Sequence, residues 1–281
     1  MQQEESLSRI SGNAVSVRCA LRNKLLAALP EIEWSRVQRH LSIVAAPAGK
    51  TLCEPNSRLE YAYFPTTSII SLLHVSADGA STEIAMIGNE GLVGVTLFMD
   101  GGTTANRVVV QSKGQIFRLK GEVLQDEFSR GGVMQQLLLR YTQALLTQIS
   151  QTAVCNRRHS IDQQLCRWIL LSLDRLDSEE LTMTHELLAN TLGVRREGIT
   201  EAARKLHNAG LITYRRGRIT VTDRIGVEAY CCECYGVLRR EYDRLTAPGV
   251  DTLHRTPLAP ATDRAAPGNN GAERHSEFLA V

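Results

Sequence analysis

Three patterns in a set order predict an α+β chain. Short alternating runs fill the stretch from about Val44 to Leu119. A long amphipathic helix follows Gly131-Gly132, and a helix, a glycine turn, a second helix and a basic hairpin occupy Thr182 to Val221. The first pattern is that of a β-barrel or sandwich-like domain, the last that of a winged helix-turn-helix. At 281 residues the chain is long enough for two domains with separate cores. Aromatic residues make up only 5% of it, so those cores must be mainly aliphatic.

Residues 1–22 are polar and mixed, the N-terminal lead-in is placed at 1–26, and Leu21 to Leu41 shows two helix-like stretches broken at Pro30. The β-domain is placed at 27–128. Its strand-like runs include Tyr61-Ala-Tyr-Phe-Pro, Ser68-Ile-Ile-Ser-Leu-Leu, Thr82-Glu-Ile-Ala-Met-Ile-Gly and Asn106-Arg-Val-Val-Val-Gln, with turn signals at Ala77-Asp-Gly-Ala and Asp100-Gly-Gly. A helical stretch from Gly121 to Phe128 closes the domain. The long helix of segment 129–158 carries Met134, Leu138, Tyr141, Leu145 and Ile149 three to four residues apart, widened by Leu137 and Ala144. It spans about 36 Å at the helical rise. Such a stripe either covers the β-domain or pairs with a second copy; the helix length favours a homodimer interface made by these five residues.

Segment 159–228 is the winged helix-turn-helix, entered through a helix carrying Ile161, Leu165, Trp168, Ile169 and Leu173. Leu187, Leu188, Ala189 and Leu192 give the first helix of the motif an apolar face ending at Gly193, where the turn demands a positive φ. In the second helix Ile199, Ala202, Ala203 and Leu206 recur at helical spacing. Arg195, Arg196, Glu197, Thr200, Glu201 and Arg204 fall opposite them or at the N-terminal end. Leu-Ile-Thr-Tyr-Arg-Arg-Gly-Arg-Ile-Thr-Val-Thr then reads as a hairpin wing with Arg215, Arg216 and Arg218 at its tip. Between 182 and 224 eight Arg and Lys face four acids, whereas the whole chain is only +2. The positive charge is local, as a phosphate-contacting face requires. Double-stranded DNA is the expected partner, touched by Thr184 and by the nine charged and polar residues just named on the second helix and wing.

One helix around Val227–Leu245, with Tyr230, Tyr235, Leu238, Tyr242 and Leu245, supplies the C-terminal helix of 229–246. Residues 247–281 are rich in proline and lack a periodic apolar face, the composition of a disordered tail. No apolar run approaches the ~20 residues of a membrane span. The N-terminus lacks a basic start and an apolar signal core, so no export or membrane association is expected. Seven scattered cysteines fit reduced thiols and a cytoplasmic location.

Taken together these segments resemble the cyclic-AMP receptor protein / fumarate-nitrate regulator (CRP/FNR) family of bacterial transcription factors. Gly88-Asn-Glu-Gly-Leu-Val-Gly-Val, Ile161-Asp-Gln-Gln-Leu-Cys-Arg-Trp-Ile-Leu and Gly193-Val-Arg-Arg-Glu-Gly-Ile-Thr carry the resemblance, which covers roughly 27–228. It implies a jelly-roll, cyclic nucleotide-binding-like sensor domain, a parallel dimer helix, a palindromic operator and, in an activator, RNA polymerase as a further partner. Arg196 and Glu197 match the family's Arg-Glu pair and should read a G·C base pair, Arg by a bidentate bond to guanine and Glu by accepting from the cytosine amino group. Arg195 and Thr200 would add phosphate or flanking contacts. Glu201 stands where cyclic-AMP-responsive members commonly carry a base-contacting Arg, so the operator need not match theirs. Nucleotide-responsive members use Gly-Glu and a later Arg with a small hydroxyl residue. Here Gly94 is followed by Val95, and Arg107 by Val108, so this effector pocket (Gly94, Val95, Arg107) is degenerate and no cyclic-nucleotide cofactor is expected.

Cys231 and Cys234 have the Cys-x-x-Cys spacing of half a metal site or a redox pair. With no second such pair and no paired His at ligand spacing, these thiols are expected to pack without a metal, though a thiol-responsive regulator using the 231–234 cysteines stays open. A metabolite-sensing module acting on a protein partner is the other alternative. His40, His74, His159, His185 and His207 stand isolated, and Ile87–Gly94 lacks a Walker lysine, so no enzyme is expected.

Overall fold

The computed structural model describes residues 17–99 and 102–245. The first sixteen residues of the lead-in and the expected 247–281 tail lie outside the described residues.

Seven strands build the N-terminal domain as two antiparallel sheets. In the first, β1 (Ser42–Ala46), β7 (Gly114–Lys120) and β3 (Tyr61–Pro65) lie in the order β1-β7-β3. The second runs β2-β6-β4-β5, with β2 (Thr51–Cys53), β6 (Arg107–Ser112), β4 (Ile69–Val75) and β5 (Ser81–Ile87). Ala46 and Ile116 from the first sheet share one buried cluster with Ile70, Ile87, Val108 and Val110 from the second, which closes the roll.

The domain begins earlier than residue 27. Asn23 is fully buried: its Oδ1 accepts from the N–H groups of Leu25 and Leu26, and its amide donates to the carbonyls of Pro65 and Gly91. It thereby caps α1 (Lys24–Ala27) and ties it to the roll, burying Leu25 and Leu26. After Pro30 come α2 (Glu31–Val37) and a 3-10 turn; α3 (Val95–Phe98) and α4 (Gly121–Ser129) complete this half.

The long helix is α5 (Gly132–Arg158). The Glu33 carboxylate accepts from the N–H groups of Val133 and Met134 at 3.0 and 2.7 Å, satisfying its first donors with a negative charge. Its apolar stripe is not the free face expected for a dimer. Met134, Leu138, Tyr141 and Leu145 are buried within the chain beside Phe64, Leu92 and Phe117 of the roll, and Ile149 packs against the same cluster. Helical periodicity reveals that a face is covered; it does not say by what. The outward side instead exposes Leu139, Leu146 and Val154 at seven- and eight-residue intervals.

A capping box of Ser160 and Gln163 starts α6 (Ile161–Leu173). Then come β8 (Glu180–Thr182), α7 (His185–Leu192), α8 (Arg196–Asn208), β9 (Ile212–Arg215) and β10 (Arg218–Val221), the strands forming a sheet in the order β8-β10-β9. Strands β2 and β8 have only three residues each, too few to display an alternation in sequence. On α7 the buried face is Leu188, Ala189, Thr191 and Leu192, while Leu187 points outward.

The single C-terminal helix expected over Val227–Leu245 is two: α9 (Arg224–Tyr230) and α10 (Cys234–Leu245). Cys231 is extended at the break, and Tyr230 is exposed, its hydroxyl facing Asp162 at 3.4 Å. Helix α10 returns along α5, placing Tyr242 and Leu245 in the buried cluster of the β-roll half. Reciprocally, Ile69 and Met86 of the roll belong to the core of the helix-turn-helix half.

Candidate functional site

The helix-turn-helix forms for local reasons. Thr184 caps α7 by accepting from the Leu187 N–H at 3.2 Å, and Gly193 ends it at φ 67°. Ile199, Ala202, Ala203 and Leu206 are buried, so the other side of α8 faces outward. All ten predicted DNA-contacting residues (Thr184, Arg195, Arg196, Glu197, Thr200, Glu201, Arg204, Arg215, Arg216 and Arg218) are exposed. Their internal partners are loose. Arg196 lies 3.9 Å from Glu186, both well exposed, and Arg218 bonds Glu180 at 3.0 Å. Exposed pairs like these contribute little and exchange readily for phosphate.

The wing is a two-residue hairpin whose loop residues, Arg216 and Gly217, both have positive φ, 51° and 76°. That turn type favours Asn-Gly, so Arg216 holds its conformation at a cost of order 1 kcal/mol. Arg215 and Arg218 are also directly paired across the strands, where like charges repel. Two local penalties therefore concentrate three guanidinium groups at one tip, an arrangement that serves an anionic surface. Sequence reasoning did not single out His185, which stacks on Tyr214 at 4.1 Å and lies 3.0 Å from the Thr200 hydroxyl. Burial, then the neighbouring Arg196, lowers its pKa. It props the wing against the start of α8.

Behind this face a buried polar junction joins the two halves. The Arg175 guanidinium donates to Glu90 at 2.7 Å, to the Leu171 carbonyl at 2.7 Å and to Gln148 at 3.2 Å, and stands over the Tyr242 ring. Gln148 also donates to the Met86 carbonyl and accepts from the Tyr242 hydroxyl. This explains two glycines of the 88–95 motif: a Cβ on Gly88 would lie 2.6 Å from the Arg175 side chain, and one on Gly91 2.3 Å from the Tyr141 ring. Nearby, Glu83 is buried on β5 and hydrogen-bonded to Ser71, whose hydroxyl also meets Gln111. Burial pushes the Glu83 carboxyl up to about 7, against the Ser71 bond and the charges of Arg167 and Arg175. At the preceding residue Thr82 abuts Gly193, so β5 touches the helix-turn-helix at its turn.

The predicted effector residues are not assembled into one site. Val95 packs into the apolar cluster under α5, and Gly94 sits against Leu59, Ala62 and Leu97. Arg107 bonds Glu54 at 2.8 Å on the surface. A groove of about 720 Å³ bounded by Arg58, Tyr61, Thr103 and Lys120 is not lined by any of the three.

The cysteines correct the sequence reading. The structure groups Cys232 and Cys234, rather than the Cys-x-x-Cys pair 231 and 234, with Cys155 and His159 from the end of α5. Two residues two apart on one helix diverge by about 200°; the break before α10 lets both thiols point the same way. Hydrogen bonds from Cys155 and then Cys231 hold Cys232 well below an ordinary thiol pKa, and the contact with Cys232, then burial, pushes Cys155 up.

Comparison with known proteins places these halves. The Crp-like helix-turn-helix domain profile matches residues 163–230, and the cyclic nucleotide-binding domain profile matches 43–130. Solved structures share the fold. FixK2 of Bradyrhizobium japonicum superposes with a TM-score of 0.58 at 15% identity, covering 68% of this chain and 98% of its own. A CRP/FNR-family transcriptional regulator from Eubacterium rectale gives 0.57 at 16%, covering 72% and 94%. The c-di-GMP-responsive global regulator CLP of Xanthomonas campestris gives 0.53 at 17%, covering 68% and 99%. No curated protein matches the chain by sequence.

Proposed function

The chain belongs to the CRP/FNR family of DNA-binding transcription regulators, and on that premise we propose that it acts as a homodimer on a palindromic operator. The observation that supports this reading is the exposed ring of Arg195, Arg196, Glu197 and Thr200 at the start of α8, flanked by the arginine-tipped wing. Arg196 and Glu197 take the base edges of a G·C pair, while Arg215, Arg216 and Arg218 take phosphates. The dimer face is the outward stripe of α5, Leu139, Leu146 and Val154, since the stripe first expected to pair is consumed by the chain's own core. An activator of this kind would also meet RNA polymerase.

We infer that the signal is something other than a cyclic nucleotide. Val95 offers no acceptor to a ribose hydroxyl, and Tyr141 and Leu138 are buried in the apolar cluster between roll and helix. A change in the roll reaches DNA through β5, which touches the helix-turn-helix turn at Thr82 and Gly193. Among the described residues no helix is long and apolar enough to cross a membrane.

Selection of bound sequences from random DNA tests the proposal. The wild-type chain should return a palindrome with half-sites about 34 Å apart. Arg196→Ala should relax discrimination at one base pair by about 1–3 kcal/mol, and Leu146→Glu should reduce the palindrome to a half-site. Unordered sequences from the wild type, or equal losses on selected and scrambled DNA for Arg196→Ala, would refute it.

A further inference from the structure

We propose that Cys155, His159, Cys232 and Cys234 form a closed, structural zinc site that clasps the end of the long helix to the start of the C-terminal helix. Their ligand atoms all lie within 4.8 Å of one another, and the three thiols are buried. Two of the separations match a single tetrahedral ion. With Zn–S near 2.3 Å and Zn–N near 2.0–2.1 Å, tetrahedral geometry puts two sulfurs ~3.8 Å apart and a sulfur and a nitrogen ~3.5 Å apart. Here Cys155 Sγ is 3.7 Å from Cys232 Sγ, and Cys234 Sγ is 3.5 Å from His159 Nδ1. An iron–sulfur cluster grips separate irons and needs its ligands more widely spaced.

The surroundings match those of a metal site. The second ring nitrogen of His159 faces the Glu233 carboxylate at 3.3 Å, the carboxylate–histidine arrangement that orients a zinc-bound imidazole. Gln151 donates its amide N–H to Cys234 Sγ at 3.1 Å. The guanidinium of Arg167 is buried nearby, bonded to Thr152. Three thiolates, one neutral imidazole and a divalent cation sum to a single negative charge, which that guanidinium offsets. On binding, the protons still held by the thiols pass to solvent, and the ion takes four protein ligands with no open position, the mark of a structural rather than a catalytic site.

Its placement gives the site a mechanical meaning. Cys155 and His159 lie on either side of the last residues of α5, immediately before the Ser160 cap of α6; Cys232 lies in the break between α9 and α10, and Cys234 opens α10. The ion would therefore span the joint at which the DNA-reading half leaves the long helix.

The test is the metal content of the full-length chain, purified under reducing conditions from zinc-supplemented cells. About one zinc per chain is expected. Cobalt put in its place should show the intense ligand-field bands of a tetrahedral ion and a thiolate charge-transfer band. Cys155→Ser, Cys232→Ser and Cys234→Ser should each lose the metal, and Glu233→Gln should weaken it roughly 10–100-fold. Cys231→Ser should keep it in full, a control that does not depend on the other variants folding. A wild-type chain that carries no zinc and takes up no cobalt would overturn the proposal. So would metal loss in Cys231→Ser equal to that in Cys232→Ser.

Discussion

Arg175 and Arg196 are the same side chain in opposite situations. Arg175 is almost wholly buried, with Glu90, Gln148 and the Leu171 carbonyl as partners; the side chain of Arg196 is 66% exposed, with a carboxylate only at 3.9 Å. In the junction between the halves every guanidinium contact is spent on the chain itself. On the DNA-reading face almost none is. The difference teaches that charge in this protein has two uses separable by burial: inside, it fixes how the halves meet, and outside, it is held in reserve for another molecule.

The comparison breaks most readily at the junction. Arg175→Ala leaves Glu90 buried without its cation and should cost about 3–5 kcal/mol in urea unfolding; a loss below about 1 kcal/mol would show the pair to be incidental. Glu83 should give the next largest effect. Its folded pKa of about 7 lies above the ordinary 4.5, so between those values the folded state binds the extra proton. Stability is then highest at the acid end and falls by about 3 kcal/mol as pH rises from about 4.5 to about 7, levelling off above that. Glu83→Gln should flatten that part of the pH–stability curve, and an unchanged slope would reassign it to another group. The wing should give the smallest thermodynamic effect. Arg216→Gly should shrink the salt slope of DNA binding by about 1 while raising folding stability by roughly 1 kcal/mol, as the left-handed strain is relieved. A slope equal to that of the wild type would remove Arg216 from the phosphate contacts.

The DNA-reading half was legible because its determinants are local: Gly193, the Ile199-to-Leu206 spacing and the basic hairpin all lie within forty residues. What was not legible depends on partners distant in the chain. Tyr141 and Leu138 advertise an apolar face, but only the fold shows the roll already covering it. Gln148 and Arg175 look like ordinary surface residues until Glu90 and Tyr242 arrive from either side. The thiol cluster draws on positions 155 and 234, and the helix break that aligns Cys232 with Cys234 has no proline or glycine to mark it. A Cys-x-x-x-His at the end of the long helix was the available hint.

The return of α10 to the roll, with Ile69 and Met86 lent in the other direction, bears on how this protein could be recombined. A chimera cut at the end of α5, where the boundary of reader and sensor would naturally be drawn, severs two shared cores at once. The reader would leave behind the side chains that finish its interior, and the sensor would lose Tyr242 and Leu245. Swapping sensors onto this reader therefore requires grafting 234–245 together with the roll, as a single inherited piece in two segments.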